Sequence, residues 1–217
     1  MRTIVYIDGF NLYYRALKGT AFKWLDLHAL CEAVLPKHCD IVGINFYTAR
    51  ISGRIDPTSP RDQQTYLKAL STLPMVQVHY GSFQTKDKEM FLAQPPKLRP
   101  RNGTPLNPLP RFATVVKSEE KGSDVNLGVH LVRDALLGKF EHAAVITNDT
   151  DLCEPLRIVK EDAKLPLTLM TPVRKPASSL IALATHVRNI GPYLGPAQFP
   201  QKIPVGDGKI IGRPAGW

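Results

Sequence analysis

Two polar clusters stand directly after apolar segments that have the composition of buried strands. In VYIDGFNLYY (residues 5–14), an apolar run ends at Asp8, a glycine follows, and Asn11 comes three residues after the aspartate. In AAVITNDTDL (residues 143–152), a second apolar run ends in a cluster that contains Asp149 and Asp151. Side chains at the carboxyl ends of strands in a doubly wound sheet face the crevice where ligands bind. These residues are therefore candidates for an active site.

A third acidic position, Asp124, lies in EEKGSDVNLG (residues 119–128), at the predicted start of a helix. Acidic and hydroxyl side chains after a strand are often helix caps or turn residues, and all three segments also fit that structural role. Two acids separated by one residue, as Asp149 and Asp151 are, exceed what a cap requires. Convergence of the acids at one edge of a sheet would favour the catalytic interpretation.

Carboxylates that converge without paired cations repel one another, and burying them in charged form is costly. A divalent ion resolves this conflict, and oxygen ligands favour hard ions such as Mg²⁺ or Mn²⁺. An ion of this kind activates water and stabilises the charge that develops on a phosphoryl group. The pattern predicts a partly exposed metal site whose carboxyl pKa values are raised by mutual repulsion. Asn11 is expected within hydrogen-bonding range of its acids, which are Asp8, Asp124, Asp149 and Asp151.

Strand-like and helix-like segments alternate along the chain, which is the pattern of an α/β fold with a mostly parallel central sheet between two layers of helices. The predicted strands span residues 2–7, 41–47, 75–80, 114–117, 142–147 and 167–170, of which the final one is expected to be the last strand of the chain. The predicted helices span residues 26–34, 60–70, 123–137 and 152–160. The acids meet at one edge only if the first, fourth and fifth strands are parallel neighbours.

The helix predicted from residue 123 has apolar residues at intervals of four, three and four positions. These residues, Val125, Val129, Val132 and Leu136, lie on one side of an α-helix, and we expect this stripe to face a core. Acidic and hydroxyl side chains in the first turn suit the positive end of the helix dipole.

Two segments lack regular periodicity. Between Gln94 and Arg111 there are six prolines, four basic residues and no acidic residue, which predicts a long loop held away from the core. We expect its basic residues, Lys97, Arg99, Arg101 and Arg111, to hold the backbone of a polyanion such as RNA beside the cleft. The alternative is a solvated loop without a partner. Residues 191–217 form a Pro/Gly-rich tail that is expected to lie over the surface or to be flexible.

The composition of the 217-residue chain fits one globular domain, residues 1–190, followed by that tail. A net charge of +9 favours a polyanionic partner such as nucleic acid, although many basic proteins have none.

Three cysteines without a CxxC pair and six scattered histidines do not support disulfides or a structural zinc site. No apolar run is long enough to span a membrane, so we expect a soluble, cytoplasmic protein.

Three segments together resemble the NYN family of the PIN-like nuclease superfamily: YIDGFNLYY, KGSDVNLGVHLVRDAL and VITNDTDLCEPL. The resemblance covers most of the chain and implies a three-layer α/β/α fold with metal-dependent endoribonuclease activity on RNA. It also implies a Mg²⁺ or Mn²⁺ site formed by Asp8, Asp124, Asp149 and Asp151, with Asn11 in support and Lys121 near a phosphate. Residues 147–152 (TNDTDL) depart from the S-x-D-S-D-F of many relatives, but both acids are kept. PIN-like proteins commonly form dimers, so a homodimer is a further expectation.

Other classes of protein fit the sequence less well. The segment after the first strand lacks the GxGxxG motif of flavin and nicotinamide enzymes, and the phosphate-binding P-loop motif is absent. Phe10 stands where a haloacid-dehalogenase phosphatase has its second aspartate. The main alternative is an RNA-binding or regulatory protein that keeps the fold without turnover. A third possibility is small-molecule hydroxylation, because some proteins that resemble this family hydroxylate a pyridine ring in nicotine breakdown.

Overall fold

A computed structural model describes residues 1–51, 59–93, 111–205 and 208–217 of the chain. Its strands are β1 (Arg2–Asp8), β2 (Asp40–Thr48), β3 (Val76–Tyr80), β4 (Ser82–Phe91), β5 (Phe112–Lys121), β6 (His142–Ile146), β7 (Leu167–Thr171), β8 (His186–Asn189), β9 (Lys202–Val205) and β10 (Lys209–Gly212). Its α-helices are α1 (Gly9–Leu12), α2 (Leu27–Val34), α3 (Ser59–Leu70), α4 (Ser123–Leu136), α5 (Cys153–Arg157) and α6 (Ser178–Leu183). Short 3₁₀ or π-helical segments are found at Tyr13–Leu17, Thr150–Leu152, Ile158–Asp162 and Gly191–Tyr193.

Six strands form a parallel sheet in the order β3-β2-β1-β6-β7-β8. Helices pack on both faces of this sheet, so the predicted α/β fold with a mostly parallel central sheet is confirmed. The strand β1 lies in the middle, and its residues Val5, Tyr6 and Ile7 are completely buried. An unbroken apolar run suits this position because both faces of a central parallel strand are covered.

The sheet separates two hydrophobic cores because successive residues of a strand point to opposite faces. On one face, Val5 and Ile7 pack with Trp24 and with side chains of α2 and α3. On the other face, Tyr6 packs with Leu127 of α4 and with side chains of α5 and α6. The alternation within β1 thus attaches both helical layers to the strand that ends in Asp8.

The apolar stripe of α4 faces away from the core, so the prediction of its orientation is wrong. Leu127, Leu131 and Ala135 pack against the sheet instead. The expected core residues Val125, Val129 and Leu136 are 68%, 59% and 65% exposed, and Val132 is half-buried. The helix carries two apolar stripes, and periodicity alone does not show which of them contacts the sheet.

The strand predicted at residues 114–117 is longer than expected and does not belong to the central sheet. It is part of β5, which pairs antiparallel with β4 in a separate hairpin, from Ser82 opposite Lys121 to Phe91 opposite Phe112. The expected arrangement of the first, fourth and fifth predicted strands is therefore wrong in part, because β6 adjoins β1 but β5 does not. The hairpin leads into α4 through Gly122, whose φ of 94° favours glycine.

The chain beyond β7 adds structure that the periodicity does not predict. The strand β8 extends the sheet, so the prediction that β7 is the last strand is wrong. The C-terminal segment contributes the buried residues Phe199 and Ile203, and Pro200 O accepts a hydrogen bond of 2.8 Å from Trp24 Nε1. These residues of the C-terminal segment are therefore packed on the core. Among the described residues, no helix is both long enough and apolar enough to cross a membrane.

Candidate active site

Asp8 ends β1 and also caps the helix that follows. Its Oδ1 accepts a hydrogen bond of 2.9 Å from the backbone N–H of Asn11, and its Oδ2 accepts one of 3.1 Å from Thr147 Oγ1. The turn requires glycine at position 9, because a Cβ on Gly9 would lie 2.5 Å from the carbonyl oxygen of Tyr47. The capping role is therefore real, and it fixes the carboxylate in one orientation.

Burial makes Asp8 an unusual carboxyl group. The residue is only 3% exposed, and this burial raises its pKa from 3.8 to about 7. The hydrogen bond from Asn11 opposes this effect, and repulsion from Asp124 and Asp149 adds to it. The pKa of Asp8 is raised as predicted, and desolvation is a larger cause of the increase than the expected mutual repulsion. At neutral pH a substantial fraction of Asp8 is protonated unless a cation stabilises its charged form.

The loop after β6 is tied to the loop after β1. Asn11 Oδ1 accepts a hydrogen bond of 3.0 Å from the backbone N–H of Asn148, so the Asn11 side chain holds the loop while its backbone N–H binds Asp8. Asp149 caps the next turn, because its Oδ1 accepts a hydrogen bond of 3.0 Å from the N–H of Asp151. Since β1 and β6 are parallel neighbours, the acids that follow them lie at the same edge of the sheet.

Asp124 reaches this edge by a different route from the one expected. It lies in the first turn of α4, which follows the hairpin rather than a strand of the central sheet. Glu120 holds the beginning of this helix, because its Oε1 accepts a hydrogen bond of 2.9 Å from the N–H of Ser123. Burial raises the pKa of Asp124, and nearby acids raise it further. The structure thus brings together four acids, which we call the carboxylate cluster: Asp8, Asp124, Asp149 and Asp151.

The carboxylate cluster has the chemistry of a site for a hard cation. Of the described basic residues, none forms an ion pair with any of its four members. Carboxylate oxygens without cationic partners are the ligands that Mg²⁺ and Mn²⁺ prefer. As the side chains stand, no three His, Cys, Asp or Glu residues of the described chain could hold an ion between them. Metal binding would therefore require the more exposed acids to move towards buried Asp8.

Beside Asp8 lies a group of three rings that the sequence pattern does not reveal. Tyr47, the β2 residue opposite Asp8 in the sheet, stacks on His79 with ring centroids 4.8 Å apart. The Tyr47 hydroxyl lies 3.0 Å from Nδ1 of His130 on α4. Burial is the largest cause that lowers the pKa of both histidines, and it favours their neutral form. These residues come from three elements without motif spacing, so nothing in the sequence indicates them.

Most of the basic residues predicted to contact RNA cannot be placed. Lys97, Arg99 and Arg101 lie outside the described residues. Arg111 is exposed at the end of the hairpin that is farthest along the strands from α4. Lys121 lies at the opposite end, where its Nζ is 3.9 Å from Glu119 Oε2.

One face of the hairpin is strongly basic, which the sequence analysis missed. Alternate residues of paired strands share a face, so the pairing of β4 with β5 groups four lysines, which we call the lysine face: Lys86, Lys88, Lys117 and Lys121. Glu119 is the acid on this face, and it pairs with Lys117 and Lys121. A hydrogen bond from Lys117 is the main cause that lowers the pKa of Glu119. Lys86 lies directly opposite Lys117, a repulsive arrangement that an anionic ligand would relieve.

Comparison with known families agrees with this fold and site. The sequence model of the NYN domain family matches residues 2–191. This range includes all six strands of the central sheet and the whole carboxylate cluster. The chain belongs to the NYN family. This membership confirms the resemblance found in the three sequence segments, and it indicates a nuclease-like superfamily.

Two individual proteins are similar to this NYN chain. The 6-hydroxy-3-succinoylpyridine 3-monooxygenase HspA of Pseudomonas putida is 31% identical over 233 residues, which cover 94% of this chain and 72% of that protein. A solved structure of a protein of unknown function from Vibrio parahaemolyticus aligns with a TM-score of 0.54 and 14% identity. That alignment covers 86% of this chain and 90% of the other, and the likeness is one of fold alone.

Proposed function

We propose that this NYN protein is a metal-dependent endoribonuclease that hydrolyses phosphodiester bonds of RNA at the carboxylate cluster. The observation that carries the proposal is the convergence of buried Asp8 with three other acids, without an ion pair to any described cation. Capping explains Asp8 and Asp149 but not Asp124 and Asp151, because Glu120 already holds the beginning of α4 and Asp149 already caps the turn that contains Asp151. An uncompensated buried acid costs stability, and such a cost is typical of sites that are selected for chemistry.

The acids Asp8, Asp124 and Asp149 would hold a Mg²⁺ or Mn²⁺ ion, with Asp151 on the exposed side. When bound, such an ion activates water and stabilises the charge that develops on the phosphoryl group. Asp8 must be charged for this role, whereas burial keeps it partly protonated at neutral pH. We therefore expect the affinity for the ion to increase as the pH rises through about 7.

Hydrogen bonds within the chain orient Asp8 and the loop that carries Asp149. Thr147 and the backbone of Asn11 fix both oxygens of Asp8, and the Asn11 side chain fixes the loop that carries Asp149. An acid that is already oriented, as Asp8 is, needs no rearrangement when the other acids move towards it to bind an ion. Asn11 is therefore a positioning residue in this proposal.

The lysine face of the hairpin supports RNA as the substrate. Its member Lys121 is only three residues from Asp124, so the lysine face begins beside the carboxylate cluster and continues away from it along the hairpin. Lysines that meet phosphates release condensed counterions, and this release supplies sequence-independent affinity. The lysines would hold the RNA backbone, while the acids determine where it is cut.

An RNA-cleavage assay with Mn²⁺, with Mg²⁺ and with EDTA tests the proposal. Asp149→Asn should abolish metal-dependent cleavage. The matched control is Asp26→Asn, because Asp26 also caps a helix but does not belong to the cluster. Its Oδ1 accepts hydrogen bonds of 2.9 and 3.0 Å from the backbone N–H groups of His28 and Ala29. Both substitutions weaken a cap, and only the first removes a site acid. Cleavage by Asp149→Asn at the wild-type rate would contradict the proposal.

A non-catalytic RNA-binding protein is the alternative that shares the same surface. Such a protein would bind RNA with the salt dependence expected of phosphate contacts but would not cleave it with either ion. Binding measured together with cleavage on the same RNA separates the two functions.

The relative from Pseudomonas putida supports a second candidate function, hydroxylation of a pyridine ring. Its name describes a 3-monooxygenase of 6-hydroxy-3-succinoylpyridine, and the alignment covers 94% of this chain. A monooxygenase consumes O₂ and a reductant. An oxygen electrode should therefore record O₂ uptake with that pyridine and reduced nicotinamide if this candidate is correct. RNA cleavage without such uptake would favour the nuclease.

A further inference from the structure

An exposed pair of planar side chains lies at the carboxyl edge of the central sheet. Tyr80 is the last residue of β3 and is 43% exposed. Arg50 follows the end of β2 by two residues and is also exposed, and its Cζ lies 5.2 Å from the centroid of the Tyr80 ring. A solvated cation–π contact contributes little to stability, so folding does not explain why this pair is on the surface.

The pair lies beside the carboxylate cluster. The strands β3, β2 and β1 are parallel, so Tyr80 ends its strand at the same edge of the sheet as Asp8. Gly81 packs closely on the segment that leads into α4, because an added Cβ would lie 2.7 Å from Lys121 O and 2.9 Å from Ser123 N. Tyr80 is therefore fixed beside the helix that carries one of the site acids.

The lysine face begins at the same place. Gly81 alone separates β3 from β4, and the first residue of β4, Ser82, pairs with Lys121 of the lysine face. An RNA strand whose phosphates follow the lysine face towards the carboxylate cluster therefore passes Tyr80 and Arg50. At this point the surface presents a ring and a guanidinium group to the strand.

Planar groups of this kind recognise nucleobases. Bases stack on tyrosine rings and on guanidinium planes, because every base has a flat aromatic face. The Arg50 guanidinium also carries a charge at every pH at which the protein is folded. No acid in the described part of the chain forms an ion pair with Arg50, so RNA can meet this charge.

We propose that Tyr80 and Arg50 form a stacking subsite that holds one nucleobase of the RNA beside the carboxylate cluster. The inference rests on the proposed function, because it assigns a part of the same RNA site. A purine has a larger ring system than a pyrimidine and stacks over a larger area, so the subsite favours a purine. Anchoring one base near the acids determines which phosphate of the strand reaches them, and Tyr80 is therefore a specificity-determining residue.

Binding to RNA oligomers in EDTA, where metal-dependent cleavage is prevented, tests the subsite. The probes are an oligouridylate, the same oligomer with one uracil replaced by adenine, and an abasic ribose phosphate chain of the same length. The wild type should bind the adenine-containing oligomer most tightly and the abasic chain most weakly. Tyr80→Ala should bind the adenine-containing oligomer about tenfold more weakly than the wild type, because it loses the stacking of one base on an aromatic ring. Its affinity for the abasic chain should not change.

Conservative variants and a matched control separate stacking from a structural role. Tyr80→Trp should keep the preference for the adenine-containing oligomer, because the indole ring also stacks on bases. Arg50→Lys should lose part of this preference but keep the dependence of binding on salt, because it keeps the charge and loses the planar group. Tyr193→Ala should bind all the oligomers as the wild type does. Tyr193 is 37% exposed, but it follows β8, the strand at the other side of the sheet from β3.

The possible failures of the subsite and of the nuclease are distinct. Tyr80→Ala with the wild-type order of affinities would overturn the subsite, as would an equal loss of affinity for the abasic chain. A wild type that binds none of the oligomers would overturn the subsite together with RNA as the substrate. A wild type that binds in the expected order, loses that order in Tyr80→Ala and cleaves no RNA with Mn²⁺ would support the subsite and contradict the nuclease.

Discussion

Replacing Asp8 by asparagine in the metal-free protein removes a charge but keeps the hydrogen bonds of the turn. The amide oxygen still accepts from the N–H of Asn11, and the amide nitrogen can donate to Thr147 Oγ1, which then accepts. Since Asp8 is 3% exposed, the substitution places a neutral group of the same size in the same buried position. The difference in stability between the two proteins therefore reports the cost of the buried charge.

The magnitude follows from the pKa of Asp8, which burial raises from 3.8 to about 7. Because the folded-state pKa is raised, the contribution of Asp8 to stability is fully present below pH 3.8 and is lost as the pH rises through about 7. One pKa unit corresponds to about 1.4 kcal/mol, so the wild type loses at most about 4 kcal/mol over this window. Asp8→Asn avoids this loss. The free energy of unfolding of Asp8→Asn should therefore exceed that of the wild type by an amount that grows with pH.

Urea unfolding of both proteins in EDTA, at a series of pH values across this window, measures the effect. His142 also titrates in this pH window, but it is present in both proteins. Its contribution therefore cancels in the difference between their free energies of unfolding. Asp26→Asn, which weakens a helix cap outside the carboxylate cluster, serves as the capping control. Added Mn²⁺ should stabilise the wild type more than Asp8→Asn. A stability difference that does not change with pH would refute the assignment of Asp8 as a buried acid without a compensating cation.

Three further predictions concern other parts of the molecule. Burial lowers the pKa of His142 from 6.5 to about 4, so its contribution to stability, about 3 kcal/mol, is fully present above pH 6.5 and is lost as the pH falls towards 4. The stability difference between the wild type and His142→Gln in urea should follow this dependence, and a difference that is constant with pH would contradict it. Gly9→Ala should cost about 1–3 kcal/mol in thermal unfolding because its Cβ meets the Tyr47 carbonyl, whereas Gly43→Ala, with nothing within 4 Å, should cost less. Lys86→Glu combined with Lys117→Glu should weaken RNA binding and flatten its dependence on salt without changing Mn²⁺ affinity, and an unchanged slope would exclude the lysine face as the binding surface.

Local sequence patterns predict most of the central sheet because its strands are apolar runs with clear ends. The predicted bounds of β1, β2, β3, β6 and β7 differ from those observed by no more than one residue at either end. The hairpin is different, because β4 and β5 are separated by residues 92–111 and their pairing depends on a contact between distant segments. The strand β8 is short and partly exposed, so it lacks the apolar run that identifies the others.

The candidate site was predictable to the extent that it follows from strand order. Asp8 and Asp149 each follow a buried strand, and neighbouring parallel strands end at the same edge. Asp124 reaches this edge through the hairpin, so the sequence argument names the residue for a reason that the topology does not support. The cause of the raised pKa of Asp8 depends on how deeply the residue is buried, and sequence patterns do not measure depth.

The β4–β5 hairpin leaves and rejoins the domain at adjacent points. The N–H of Gly81 donates to Thr48 O at 2.8 Å just before the hairpin begins, and Ser82 pairs with Lys121 where it ends. Its length and composition can therefore change during evolution without shifting the register of any strand in the central sheet. The hairpin can diverge while the acids at the edge of the central sheet stay in place. Exchange of this single segment can therefore give the same fold new substrates.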